Sequence, residues 1–247
     1  EYYRSIHALV PMECASAATM IALGANVIHM GPMSYLTAID TSLTHDLSPI
    51  DRDNDRVSVS LDELKRVIHL WQSQKDQTAS NPYKSLFEYV HPLVIGAVDR
   101  ADSLSTKLCR DILSRHVEDQ ELVAAISESL NSKYPSHSYP IVLREAKSLG
   151  LDVRVMDHEV LELLLKLHLL YSEMGQKCTT DFDEIHSHTN EISNIIETED
   201  LQMFFEIDKD WFYRVEERRW VTMNDSSGWH RLDKKAGRIH RSAFHSV

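Results

Sequence analysis

One segment constrains this chain more than any other: the run from Val10 through Glu13-Cys14-Ala15-Ser16-Ala17-Ala18-Thr19 to Leu23. Residues Ser5 to Val10 alternate and end apolar, which reads as a strand. Residues from about Ala15 to Leu23 read as a helix ended by Gly24. A single serine, Ser16, therefore falls among small residues at a strand-to-helix turn. A hydroxyl there can stand exposed, with helix amides and the positive end of the dipole beside it to stabilise an oxyanion. The alternative is a packed strand–turn–helix in which small residues merely let the elements approach.

The residues that follow keep the same rhythm. Asn26 to Met30 reads as a buried strand closed by Gly31-Pro32, and Tyr35 to Ile39 as another short apolar stretch ending at Asp40. Strand, helix and strand in succession predict an α/β layer structure. Thr44 to Val59 is polar and Asp-rich and reads as a loop. Ser60-Leu61-Asp62-Glu63 has capping-box spacing and opens a helix through Trp71. From Leu86 to His116 the pattern is helical, bent near Pro92, and Val117 to Leu130 is a further amphipathic helix. A loop between Pro135 and Pro140 carries His137. Leu143 to Leu149 is a short helix stopped by Gly150. Leu151 to Val155 reads as a strand, and Val160 to Met174 as a helix with a strong apolar face. After Gly175 the chain turns polar to Glu199. Two strand-like stretches around Asn224 to Gly228 then predict a β-hairpin. The expected organisation is a domain over 1–175 and a C-terminal α+β appendage over 176–247.

Composition narrows the function classes. The 247 residues suffice for a sizeable core. A net charge of −12 argues against a nucleic-acid partner, because neutralising phosphates needs a basic field. Cys14, Cys109 and Cys178 are far apart and form no CxxC or zinc pattern, so a reduced, cytoplasmic compartment is expected. No apolar run approaches the roughly 18 residues of a membrane helix, so no integral membrane segment is expected. The chain does not begin with Met and holds only 7 Gly, which predicts a piece of a longer, glycine-richer protein.

Three further pieces, in order and spacing, carry a resemblance. Ser16-Ala17-Ala18-Thr19-Met20-Ile21-Ala22-Leu23 is the first. Met30-Gly31-Pro32 through Ala38-Ile39-Asp40 is the second. His137-Ser138-Tyr139-Pro140-Ile141, followed by Glu145-Ala146 and Leu149-Gly150-Leu151, is the third. With Tyr89-Val90-His91-Pro92-Leu93-Val94-Ile95-Gly96 they cover residues 7 to 175. Together they resemble the serine dehydrogenase proteinase family, in the ClpP/crotonase-like superfamily and related to signal peptide peptidase A. The resemblance implies a ClpP-like spiral of β-β-α units, an oligomer, and amide hydrolysis through an acyl-enzyme on Ser16 without a cofactor or metal. Peptides or unfolded protein segments would be the substrates. It also implies Ala17 as one oxyanion amide, the other coming from a Gly-Gly loop upstream of the nucleophile strand, which this sequence does not contain.

A serine needs a base in reach. The superfamily's usual histidine position holds Asp40, and its usual aspartate loop holds His137. We therefore expect exchanged roles: His137 as general base and Asp40 as the carboxylate that orients it, since a triad is defined by geometry and not by chain order. Lys84 is the alternative base, in a Ser–Lys dyad, and would have to be desolvated to serve. A non-catalytic ClpP-like scaffold that binds peptides is the alternative function, and a crotonase-type acyl-CoA enzyme a third.

Other groupings have plainer readings. His186 and His188, two apart on a strand, would share a face and suit zinc, but a polar linker of solvated residues is the plainer account. Cys14 reads as packing, or as a rival nucleophile. Leu161, Leu164, Leu165, His168 and Leu169 form a stripe for a core or a subunit interface. Trp211, Phe212, Tyr213, Trp220 and Trp229 serve cross-strand pairing or docking. Asp51, Asp53 and Asp55 lack the glycine and final Glu of a calcium loop.

Overall fold

The structure, a computed structural model, describes residues 5–39, 41–51, 56–73, 84, 86–235 and 238–244. The chain is mixed α/β and divides into two compact units, Glu1–Leu161 and Glu162–Val247. The division falls inside a helix, His158–Met174, and not after Gly175.

In the first unit, strands β1 (His7–Val10), β3 (Val27–Met30) and β8 (Val153–Val155) form a parallel sheet in the order β1-β3-β8. Register pairs Val10 with Met30 and Ile28 with Val153, so alternation turns these side chains to one face. They belong to the main core with Leu23, Leu36, Leu113, Leu130 and Ile141. Gly31 follows β3 where no side chain fits: a Cβ there would stand 2.6 Å from the Pro11 carbonyl oxygen. A second, smaller sheet holds β2 (Glu13–Cys14), β4 (Tyr35–Leu36) and β7 (Ile141–Val142). Between β2 and β3 lies α1, Ala17–Ala22. Two further short strands, β5 (Ser42–Leu43) and β6 (Val59–Ser60), pair antiparallel.

The helices begin where capping chemistry places them. The Glu63 amide donates to Ser60 Oγ at 3.2 Å ahead of α2 (Leu61–Gln72). Pro92 does not bend a helix but opens α3 (Pro92–Leu113). His91 caps that helix through an Nδ1 that accepts from the Leu93 amide at 3.2 Å. Asp119 caps α4 (Gln120–Glu128), accepting from the Glu121 and Leu122 amides. A π-helical turn, Ser129–Lys133, continues α4. Helix α5 (Leu143–Ser148) is followed by Gly150 at φ 94°, the left-handed conformation that its sequence position predicts. A second cluster around Val94, Val98, Leu61 and Leu64 packs α2 on α3.

The second unit takes the rest of α6 (His158–Met174) and an antiparallel sheet of six strands. These are β9 (Cys178–Asp181), β10 (His186–Glu197), β11 (Leu201–Arg214), β12 (Arg219–Asp225), β13 (Gly228–Lys235) and β14 (Arg238–Phe244). The hairpin expectation is too small. The stretch from Lys177 to Glu199 is not a solvated linker but supplies two strands, with Ser187 and Thr189 buried. No residue of α6 is buried, and Leu163, Leu169 and Leu170 are exposed, so its stripe is not core. Among the described residues no helix is long and apolar enough to cross a membrane.

Candidate functional site

The small sheet gathers the candidate residues at one end. Strand β4 runs parallel to β2, pairing Cys14 with Leu36, so both strands point their C-terminal ends the same way. Ser16 follows the first and Thr37 to Ile39 the second. Strand β7 runs antiparallel to β4, pairing Leu36 with Ile141, so the loop that precedes β7 arrives at that same end. That loop carries His137. Asp40 itself lies outside the described residues; Ile39, its neighbour, is held there by its amide donating to the Leu130 carbonyl at 2.8 Å.

Ser16 has an uncommon backbone, φ 50° and ψ −109°. This is near the first central position of a type II′ turn, a conformation that glycine dominates. An L-residue held there costs about 1–3 kcal/mol and persists only where its surroundings over-determine it. The surroundings here are two buried threonines. The Ser16 amide donates to Thr37 Oγ1 at 2.9 Å, and that hydroxyl donates to the Ala38 carbonyl at 3.2 Å. Thr19 Oγ1 donates to the Cys14 carbonyl at 2.7 Å and accepts from the Thr37 amide at 3.2 Å. Both threonines are sealed from solvent. Neither stands out in sequence: Thr37 is a hydroxyl just past a short apolar strand, and Thr19 one within the short helix α1.

The Ser16 hydroxyl is not used structurally. Ser16 occupies the N-cap of α1, yet its side chain makes no capping hydrogen bond. Among the described residues neither the hydroxyl nor the Ala17 amide has a hydrogen-bond partner, and Ala17 is exposed. Because α1 has only six residues, a long helix dipole is not available; the Ala17 amide itself is the donor at hand.

His137 is exposed and makes no hydrogen bond to Ser16. It shares with Ala38, Asp62, Asn131 and Tyr134 the wall of a cavity of about 10 Å³, room for one water at most. Thus the His137 loop shares a cavity wall with Ala38, the residue next to Thr37, whose hydroxyl accepts from the Ser16 amide. Burial and the Glu145 carboxylate push the Tyr134 phenol up, so it stays protonated beside this loop. Asp62, a carboxylate the sequence reading did not single out, lies on the same wall and pairs with Arg66.

Lys84 is exposed and close in sequence to Leu86, which belongs to the second cluster and not to the core around Ser16. Cys14 is buried, and burial pushes its thiol up to about 11, so it is no thiolate at neutral pH and packs as a small apolar residue. His186 pairs with Asp183 at 2.8 Å, and His188 with Asp210 at 3.0 Å. Among the described residues no three His, Cys, Asp or Glu side chains are placed to hold a metal. The aromatic residues of the second unit pair across strands: Phe205 with Trp229 and Tyr213 with Trp220. Of the acidic stretch, residues 52–55 lie outside the described residues.

No family model matches the chain, and no curated protein or solved structure matches it.

Proposed function

We propose that this chain is a serine peptidase of the ClpP/crotonase-like superfamily, resembling serine dehydrogenase proteinases and acting on peptides or unfolded protein segments. The observation that carries the reading is the backbone of Ser16, φ 50° and ψ −109°, with its hydroxyl unspent. An N-cap serine ordinarily stabilises its helix by about 1 kcal/mol. Here that contribution is forgone and backbone strain is accepted besides. Local stability does not account for both; a nucleophile with a free hydroxyl on a sharp strand-to-helix turn does.

In this reading Ser16 Oγ attacks the scissile carbonyl carbon as the His137 imidazole takes its proton. The Ala17 amide donates to the oxyanion of the tetrahedral intermediate. Collapse breaks the C–N bond, the imidazolium returns the proton to the leaving amine, and water then hydrolyses the acyl-serine. Asp40 orients the imidazole. The common sheet end supports the grouping of Ser16 with His137, and the buried Cys14 thiol leaves Ser16 without a rival there. The ClpP-like spiral is supported by the order of elements, in which β1, β2 and α1 are followed by β3 and β4.

The test is acylation by a fluorophosphonate probe. Ser16→Ala is expected to abolish labelling, and His137→Ala to slow it by at least ~100-fold, the usual scale of general-base catalysis. Lys84→Ala is expected to label at the wild-type rate. The reverse ranking of His137 and Lys84 moves the base to the lysine. A wild-type protein that never labels leaves the peptide-binding scaffold.

A further inference from the structure

Thr37 touches two parts of the site at once. Its Oγ1 accepts the Ser16 amide at 2.9 Å and donates to its neighbour's carbonyl, Ala38, at 3.2 Å. Ala38 lines the cavity that His137 also lines. The Thr37 amide is anchored in turn, donating to the Cys14 carbonyl at 3.1 Å and to Thr19 Oγ1 at 3.2 Å. The hydroxyl proton is therefore committed to Ala38, and the lone pair left over faces Ser16 N–H. A hydroxyl has one proton to give, and here its direction is fixed.

Two consequences follow for Ser16. The amide that Thr37 accepts is removed from the oxyanion side, so Ala17 N–H is the amide left facing outward. The strained φ of Ser16 is also held by a bond to a side-chain acceptor just past the neighbouring strand.

We propose that Thr37, locked by Thr19, is the positioning residue of the Ser16 site: it holds the nucleophile's backbone in register with the strand end that meets the His137 loop. This rests on the assignment of Ser16 as nucleophile. Thr37 touches no reacting atom and acts through the Ser16 amide. A valine in its place fills the same volume but offers no acceptor, leaving a half-buried amide unpaired. Serine keeps the acceptor and loses only a methyl group.

The experiment compares Thr37→Val, Thr37→Ser and wild type for the rate of fluorophosphonate acylation, with thermal melts alongside. We expect Thr37→Val to acylate 10- to 100-fold more slowly while its affinity for a reversible peptide inhibitor stays within about threefold. Thr37→Ser should recover the rate to within about threefold of wild type. Should the valine variant not fold, Thr37→Ser against Thr37→Ala makes the same comparison, since both lose the methyl and only one loses the hydroxyl. Equal rates in the paired variants, fast or slow, overturn the proposal. The two readings fail separately. If Ser16→Ala still labels, the nucleophile assignment is wrong. If Ser16→Ala is silent while Thr37→Val labels like wild type, only the positioning role is wrong.

Discussion

The two units each hold non-glycine residues in left-handed backbone, and they do so for different reasons. In the antiparallel sheet of the second unit these are Asn194 at φ 51° and Arg218 at φ 52°. Asn194 sits where the β10–β11 register shifts between Ser193 and Ile196, and Arg218 closes the short turn between β11 and β12. Bulges and tight turns demand such angles, and asparagine tolerates them. In the first unit the residue is Ser16, at the end of β2, where no hairpin and no bulge requires it. Its ψ of −109° also lies far from the left-handed helical well near +47°. The packing differs in the same direction. Ser16 is framed by the buried side chains Cys14, Thr19 and Thr37, whereas Phe204 is the one apolar side chain of the second unit buried among the described residues. Strain in the first unit is supported by a core; in the second it belongs to a strand irregularity and a turn.

Glycine substitutions sharpen this contrast most. Ser16→Gly relieves the 1–3 kcal/mol of strain at some cost in unfolded-chain entropy. We expect it to stabilise the first unit by about 1–2 kcal/mol while abolishing probe labelling, a stability gain bought at the expense of the site. A destabilised Ser16→Gly protein would mean that the backbone there is unstrained. Arg218→Gly, by the same measurement in a urea titration, should change stability by less, about 0.5 kcal/mol, because relief of roughly 1 kcal/mol at φ 52° is largely offset by the greater unfolded-chain entropy of glycine. Labelling should be untouched.

Acid offers the smallest and most local effect. The Asn224 amide and the His188 ring hold the Asp210 carboxyl below its usual range, and backbone and His186 bonds do the same for Asp183. A carboxyl depressed in the folded state contributes stability that is fully present above the unfolded pKa, near 3.8, and is lost as pH falls through the lower, folded value. Both carboxyls lie in the second unit, which should therefore lose this small contribution below about pH 4. Three of the four tryptophans, Trp211, Trp220 and Trp229, lie in it, so fluorescence follows its loss. Asp210→Asn should flatten that acid limb slightly; an unchanged limb would show that the pair with His188 contributes nothing.

Much of the first unit is legible in the sequence because local chemistry and burial agree there. Ser60 caps α2, Gly150 adopts φ 94°, and the apolar alternation of β1 and β3 turns Val10, Ile28 and Met30 inward. The loop between Pro135 and Pro140 leads to the site because β7 pairs with β4, which no local pattern announces. Strands β9 and β10 were hidden for a different reason. Their alternation is largely polar against polar: buried Ser187 and Thr189 on one face, and on the other His186, which faces Phe212, and His188, which faces Asp210 with Asp208 nearby. Hydrophobic periodicity is blind to such a strand. Thr19 and Thr37 escape notice likewise, since their role lies in bonds between segments 18 residues apart.

The central claim is that Ser16 is a half-buried nucleophile made by its backbone, with its hydroxyl unspent. Peptide mapping of the fluorophosphonate adduct on the wild-type chain tests it most directly. The account predicts one modification per chain, on the peptide that contains Ser16. Modification of another serine, with Ser16 unmodified, would contradict it.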